Sequence, residues 1–291
     1  MKGEIIGIIS VLFEVFKSVE NYNFLLRFDF INLSLEGKNA VICGSTQGIG
    51  LAIAEELALL GANCTLIARN EDALKVAIHK LDIALRQQHN YLIADFNNTE
   101  EVKKVIEVHV KKNTVHILIN NSGGPAAGPI IDATEEAFLK TFNQHLICNH
   151  ILTKAVVPSM KSEGYGRIIN VISTSVKIPL KNLGVSNTIR GAVASWAKSM
   201  ANELGEFNIT VNNVLPGFTA TKRLSTLIEN IAKRGDTLID IVEQNMMEEV
   251  PMKRFADASE IAAVAVFLSS PAASYINGVS IPVDGGRTGS I

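Results

Sequence analysis

The chain has 291 residues, 47% of them hydrophobic and 19% charged, with a formal net charge of -2. That is enough to bury one large core or two modest ones, and the near-neutral balance gives no reason to expect nucleic acid or an anionic membrane as partner. The six His lack metal-ligand spacing, so no metal is expected, and Cys43, Cys64 and Cys148 lie far apart in apolar runs, as buried free thiols of a cytoplasmic protein would.

Residues 1–31 read as an N-terminal extension. "IIGIISVLFEVF" is too short to span a bilayer, and "NYNFLLRFDF" carries no small-residue cleavage site. Three readings stand for it: an amphipathic helix on the domain surface, a weak membrane-surface anchor, or upstream sequence retained by a generous start-site choice. No integral membrane span is expected.

From about residue 32 short apolar runs alternate with helical patterns. The runs at 39–44, 63–68, 91–95, 115–120, 167–172, 209–215 and 278–284 are nearly continuous in Val, Ile and Leu. Such runs suit strands of a parallel sheet covered on both faces. The helix in "GLAIAEELALLGA" should stop at Gly61. A long helix should start with Asp132 and Glu135 in capping-box spacing and stay periodic until near Pro158. Strict alternation of strand and helix predicts one doubly wound α/β domain over residues 32–291, a mostly parallel sheet with helices on both faces.

The loop "GSTQGIG" (Gly44, Ser45, Thr46, Gln47, Gly48, Ile49, Gly50) joins the first strand to its helix. Glycines there let the backbone turn tightly and approach a pyrophosphate at the positive end of the helix. A tight turn needing positive φ is the plainer alternative. After the second strand, a carboxylate would accept from the ribose of NAD; this chain has Arg69. A guanidinium instead clamps a 2′-phosphate, with Thr46 and Asn70 as added donors, so NADP(H) is preferred and NAD(H) remains possible. A solvated Arg at a helix start is the alternative.

With "GSTQGIG" followed in order by "IADF", "NNSGG", "PGFTAT" and "VDGG", the chain resembles the short-chain dehydrogenase/reductase family over about residues 35–288. The resemblance implies a Rossmann-type, seven-stranded parallel sheet, assembled as a homotetramer or homodimer. It puts Asp95 and Phe96 beside the adenine, and Asn121, Ser122 and Gly123 along the cofactor, with Ser122 replacing the usual Ala. Pro216, Gly217, Thr219 and Thr221 match the loop that reaches the nicotinamide. The segment from Lys222 to Phe255 matches the substrate lid. A helix cap for Asp95 and a plain turn for Pro216–Gly217 remain open.

The family moves a hydride between nicotinamide and a carbonyl or alcohol carbon, and a proton through Ser, Tyr and Lys with an Asn on the long helix. Ser173 falls on the Ser position, Ser186 on the Tyr, Arg190 on the Lys and His145 on the Asn. Four residues after Tyr22, Tyr91, Tyr165 and Tyr275 stand Leu26, Asp95, Ile169 and Val279, so no Tyr-x-x-x-Lys exists. Arg190 keeps the positive charge but cannot act as Lys does. His145, with an ordinary pKa near 6.5, is the group suited to a proton relay; a helix histidine bonded to a carbonyl is the alternative. Two functions are expected from these residues: an NADP(H)-dependent oxidoreductase with altered proton delivery, acting on a carbonyl such as a 3-oxoacyl group or on an activated alkene, or an NADP(H)-binding pseudoenzyme. A dehydratase or epimerase on the same fold is a weaker reading.

Overall fold

The computed structural model describes residues 31–290, and the expectations for residues 1–30 lie outside them. Leu33–Ile291 form one compact unit. In chain order its elements are β1 (Asn39–Cys43), α1 (Gly48–Leu59), β2 (Asn63–Ala68), α2 (Glu71–Ile78), β3 (Asn90–Ile93), α3 (Thr99–Val110) and β4 (Ile117–Asn120). Then come α4 (Glu135–Phe142), a π-helical turn (Asn143–Ile147), α5 (Cys148–Glu163), β5 (Gly166–Val171), α6 (Gly184–Leu204) and β6 (Ile209–Pro216). The unit closes with α7 (Lys222–Gly235), α8 (Ile239–Glu248), α9 (Ala258–Ser269) and β7 (Ser280–Val283).

The seven strands form one sheet in the order β3-β2-β1-β4-β5-β6-β7. Every pairing is parallel. Alternate residues of a strand point to opposite faces. Ala40 and Ile42 of β1 enter a core with Ile53, Leu57, Ile261 and Ala265 from α1 and α9. Val41 and Cys43 enter the other core, with Ile106, Leu152, Val156 and Ala197 from α3, α5 and α6. Two buried faces are why the strands carry apolar runs without polar alternation. The order reverses between β1 and β4, and a crevice opens there beyond the carboxyl ends of the strands, where ligands of such sheets bind.

Three helix details follow local chemistry. Gly61, at φ +97°, donates its N–H to Ala58 O at 2.9 Å and ends α1, as its position predicts. The N-cap of α4 is Thr134, whose Oγ1 accepts from Ala137 N at 3.2 Å, and Asp132 lies in a preceding 3-10 turn. The capping-box expectation at Asp132 is therefore corrected by two residues. The helix also runs past Pro158 to Glu163 and stops at left-handed Gly164. Ser159 holds that stretch down, with its Oγ donating to Val115 O at 3.1 Å and accepting from Val115 N at 3.2 Å.

Under the crevice a row of buried polar side chains crosses the sheet. Asn120 Nδ2 donates to Asn170 Oδ1 at 2.9 Å, Asn170 Nδ2 to Asn213 Oδ1 at 3.0 Å, and Asn213 Nδ2 to Ser280 Oγ at 3.0 Å. These residues are direct register partners on β4, β5, β6 and β7. Above it, α7 and α8 carry a small apolar cluster of their own, Leu224, Ile228, Ala232, Val242 and Met246.

Candidate active site

The β1–α1 loop is shaped by its glycines. Gly44 and Gly48 each sit at φ +57°, where a side chain is strained. A Cβ on Gly50 would lie 2.3 Å from Gly44 O and 2.6 Å from Asn121 Nδ2. That amide donates to Cys43 O at 3.2 Å and Gly44 O at 3.1 Å, fastening the turn after β4 to the loop after β1. Gln47, the N-cap of α1, makes no side-chain capping bond, and no acidic residue stands in the first turn. The helix thus offers uncapped N–H groups and its positive end to an anion. Ser45 Oγ, fully buried in the loop, has no partner among the described residues. Thr221 packs against Gly48: a Cβ there would lie 3.3 Å from its Cγ2. This cradle fits a dinucleotide phosphate.

At the adenosine end, Arg69 is exposed at the close of β2. Asn70 caps α2 by accepting from Ala73 N at 2.9 Å, so its carbonyl is committed and its amide N–H groups stay available. Asp95 accepts from Asn97 N at 3.0 Å and Asn97 Nδ2 at 2.8 Å. The backbone N–H of Asn97 and, more weakly, Arg69 hold its carboxyl below the ordinary range. Phe96 packs its ring into the α3–α5 core, leaving little of it to face a ligand.

The other predicted residues meet at the crevice. A cleft of about 200 Å³ is walled by Ser173, Ser186 and Arg190 on one side and by Asn121, Ser122, Thr219 and Thr221 on another, with Pro216 and Gly217 at its edge. Ser173 lies two residues past β5 at the head of a 3-10 turn, and its Oγ accepts from Ser175 N at 3.1 Å, which leaves the O–H to donate outward. Ser186 is buried in the first turn of α6, and its hydroxyl has no hydrogen-bond partner among the described residues. Arg190, one turn on along α6, is buried and donates from Nη1 to Val171 O at 3.2 Å. Burial and then nearby Arg223 bring its pKa down to about 10, so it remains a cation at neutral pH.

His145 stands behind this wall. It lies in the π-helical turn, and its Nδ1 is 2.8 Å from Ser122 Oγ. Burial, then the charges of Arg190 and Arg223, push its pKa down to about 3. The expectation of a titration near neutrality is corrected: the imidazole is uncharged at physiological pH. Its Nε2 is buried without a partner among the described residues.

Several cleft residues have no role predicted from the sequence. Gly124, Leu180, Leu183, Phe218, Leu227 and Arg223 line the walls, and Arg287 closes one end. Arg223 is the one with a sequence cue, a cation in the first turn of a helix, where the macrodipole disfavours it. Arg287 lies over the Phe218 ring at 4.0 Å and pairs with Glu249, its Nε donating to Oε2 at 3.1 Å. The thiols take no part. Cys43 and Cys64 are buried with their pKa raised by desolvation, and burial pushes Cys148 up to about 12.

Comparison with known proteins agrees with this geometry. A family model described as enoyl-(acyl carrier protein) reductase matches residues 44–288. The NADPH-dependent reductase BacG of Bacillus subtilis is 31% identical over 258 residues, covering 87% of this chain and 99% of that protein. The 7alpha-hydroxysteroid dehydrogenase of Escherichia coli is 30% identical over 262 residues, covering 89% and 97%. The L-sorbose reductase of Gluconobacter frateurii, solved with NADPH and L-sorbose, superposes with a TM-score of 0.83 at 31% identity, covering 89% of this chain and all of that one. Glycine cradle, parallel sheet and similarity over nearly nine-tenths of its length together place this chain in the short-chain dehydrogenase/reductase family.

Proposed function

We propose that residues 32–291 form an NADP(H)-dependent reductase that passes hydride to a carbonyl or activated alkene, with proton delivery that does not use a tyrosine. The observation that carries this reading is the shared cleft: two serine hydroxyls and a buried guanidinium face the same space as the cofactor-loop residues. The named relatives BacG and L-sorbose reductase are linked to NADPH, and Arg69 gives this chain a cation where the 2′-phosphate is recognised.

In this reading the first turn of α1, Ser45, Thr46, Gln47, Ile49 and Thr221 hold the phosphates, and Arg69 and Asn70 hold the 2′-phosphate. Asp95 and the edge of Phe96 flank the adenine. Asn121, Ser122, Gly123, Pro216, Gly217 and Thr219 orient the nicotinamide, which when bound supplies the hydride. Ser173 and Ser186 donate to the substrate oxygen as negative charge develops on it. Arg190 adds a fixed positive charge in a partly dry site, where it is worth more than in water. General acid help is worth roughly 10²–10⁴ in rate, while positioning supplies about 7–11 kcal/mol, so turnover survives loss of the phenol. The proton then comes from water at the open mouth. His145 acts as a positioning residue: a neutral, buried ring whose Nδ1 lies against Ser122 Oγ behind the cleft wall.

The test is NADPH oxidation against a panel of ketones, 3-oxoacyl thioesters and enones, with cofactor affinity read by fluorescence titration. Ser173→Ala is expected to slow turnover by about tenfold or more while NADPH affinity stays within about threefold. Tight NADPH binding with no turnover on any of them would instead support the pseudoenzyme reading, a redox sensor or partner subunit, which the aliphatic hydroxyl of Ser186 in place of a phenol favours. Cytoplasmic location and assembly as a homotetramer or homodimer belong to the same proposal.

A further inference from the structure

The cleft wall contains three arginines and no acidic residue. Arg287 is neutralised by Glu249. Arg190 and Arg223 have no carboxylate partner among the described residues, and both reach the same spot. A Cβ built on Gly124 would lie 2.7 Å from Arg223 Nη2 and 3.3 Å from Arg190 Nη2. Among the described residues their hydrogen bonds go to carbonyls alone. Arg190 gives one to Val171 O, and Arg223 gives two, from Nη1 to Gly124 O at 3.0 Å and from Nη2 to Pro125 O at 3.3 Å. A guanidinium has five N–H donors, so each fork keeps most of its capacity.

Two cations brought this close repel, more so where one is buried. Arg223 also stands beside Lys222 in the first turn of α7, against the helix dipole, with no acid in that turn. Among the described residues no carboxylate compensates the two charges, so the arrangement suits an anionic ligand. The cofactor phosphates already have their cradle at α1 and their cation at Arg69. The walls beside the two forks are apolar, with Leu180, Leu183, Leu224 and Leu227.

We propose that Arg223, at the mouth with Arg190 behind it, takes the carboxylate of the substrate, so that the compounds reduced are small carboxylic acids with an apolar body and a carbonyl or activated alkene. This rests on the reductase reading and narrows it to a substrate class; Arg223 is its specificity-determining residue.

The experiment pairs 4-phenyl-2-oxobutanoate with its ethyl ester as NADPH-dependent substrates, for the full chain and for Arg223→Ala. The intact protein is expected to favour the acid by about tenfold or more in kcat/KM, and the variant to lose that preference through KM. Equal use of acid and ester by the intact protein, or an unchanged preference in the variant, overturns the proposal. A rise of about tenfold in the NADPH dissociation constant of the variant also overturns it, because Arg223 would then serve the cofactor diphosphate. A second arm needs no turnover: calorimetric titration with benzoate and with benzamide, in the absence and presence of NADP+. Benzoate should bind more tightly than benzamide and weaken by about tenfold in Arg223→Ala. Equal binding of the two overturns the proposal. Failure of NADP+ to bind would strike the reductase reading alone, since the benzoate comparison still decides the anion site.

Discussion

Gly50 has no room for a methyl group: the nearest atoms are a backbone carbonyl and the amide of Asn121, which already serves two carbonyls. Gly50→Ala must push the α1 loop away from the β4 turn. A loss of about 1–3 kcal/mol in urea unfolding is expected, together with loss of NADPH binding. At this scale the glycines and Asn121 are legible, because a turn of this geometry demands those residue types. The role of His145 is not. Its ordinary pKa suggests a neutral-range acid, and only the packed structure shows the burial and the two arginines that discharge it. Arg223 gives only the cue of a cation in a first helical turn; its pairing with Arg190 is hidden, because that residue stands 33 positions earlier in the chain.

Strands were legible as elements because burial on both faces forces unbroken apolar runs, and the seven expected runs coincide with β1 to β7 to within a few residues. Helix detail was less so. Asp132 and Glu135 have capping-box spacing, yet the chain uses Thr134, since Pro129 and the 3-10 turn after it set where the helix can begin. The π-helical turn leaves no periodic mark, because one inserted residue is absorbed by contacts with α6 that are distant in sequence. The asparagine row is equally hidden: four polar residues within the strand runs show no link to one another until the register aligns them. Asn170→Ala would strand Asn120 Nδ2 and Asn213 Oδ1 in the dry interior. A cost of about 2–4 kcal/mol in urea unfolding is expected, well above that of a surface Asn→Ala.

For the molecule as a whole, the discharged His145 ties stability to acidity. Its folded pKa of about 3 lies below its ordinary 6.5, so between those values the unfolded chain binds the extra proton. Stability from this group is fully present above pH 6.5 and falls as the pH drops toward 3. Lowering the pH from 7 to 5 is expected to cost about 2 kcal/mol more in wild type than in His145→Asn, measured by urea unfolding at both values. His109 and His116 are lowered by burial too, and both proteins share them, so the difference isolates His145. The root of α7 has a last consequence. Thr221, touching Gly48, and Arg223, reaching Gly124, are two residues apart at the base of a segment with its own small core. On the proposed reading the nucleotide seats the first and the acid engages the second. The two affinities are then reciprocally linked. Titrating benzoate with and without NADP+, and NADP+ with and without benzoate, should then give the same factor of tightening in both directions.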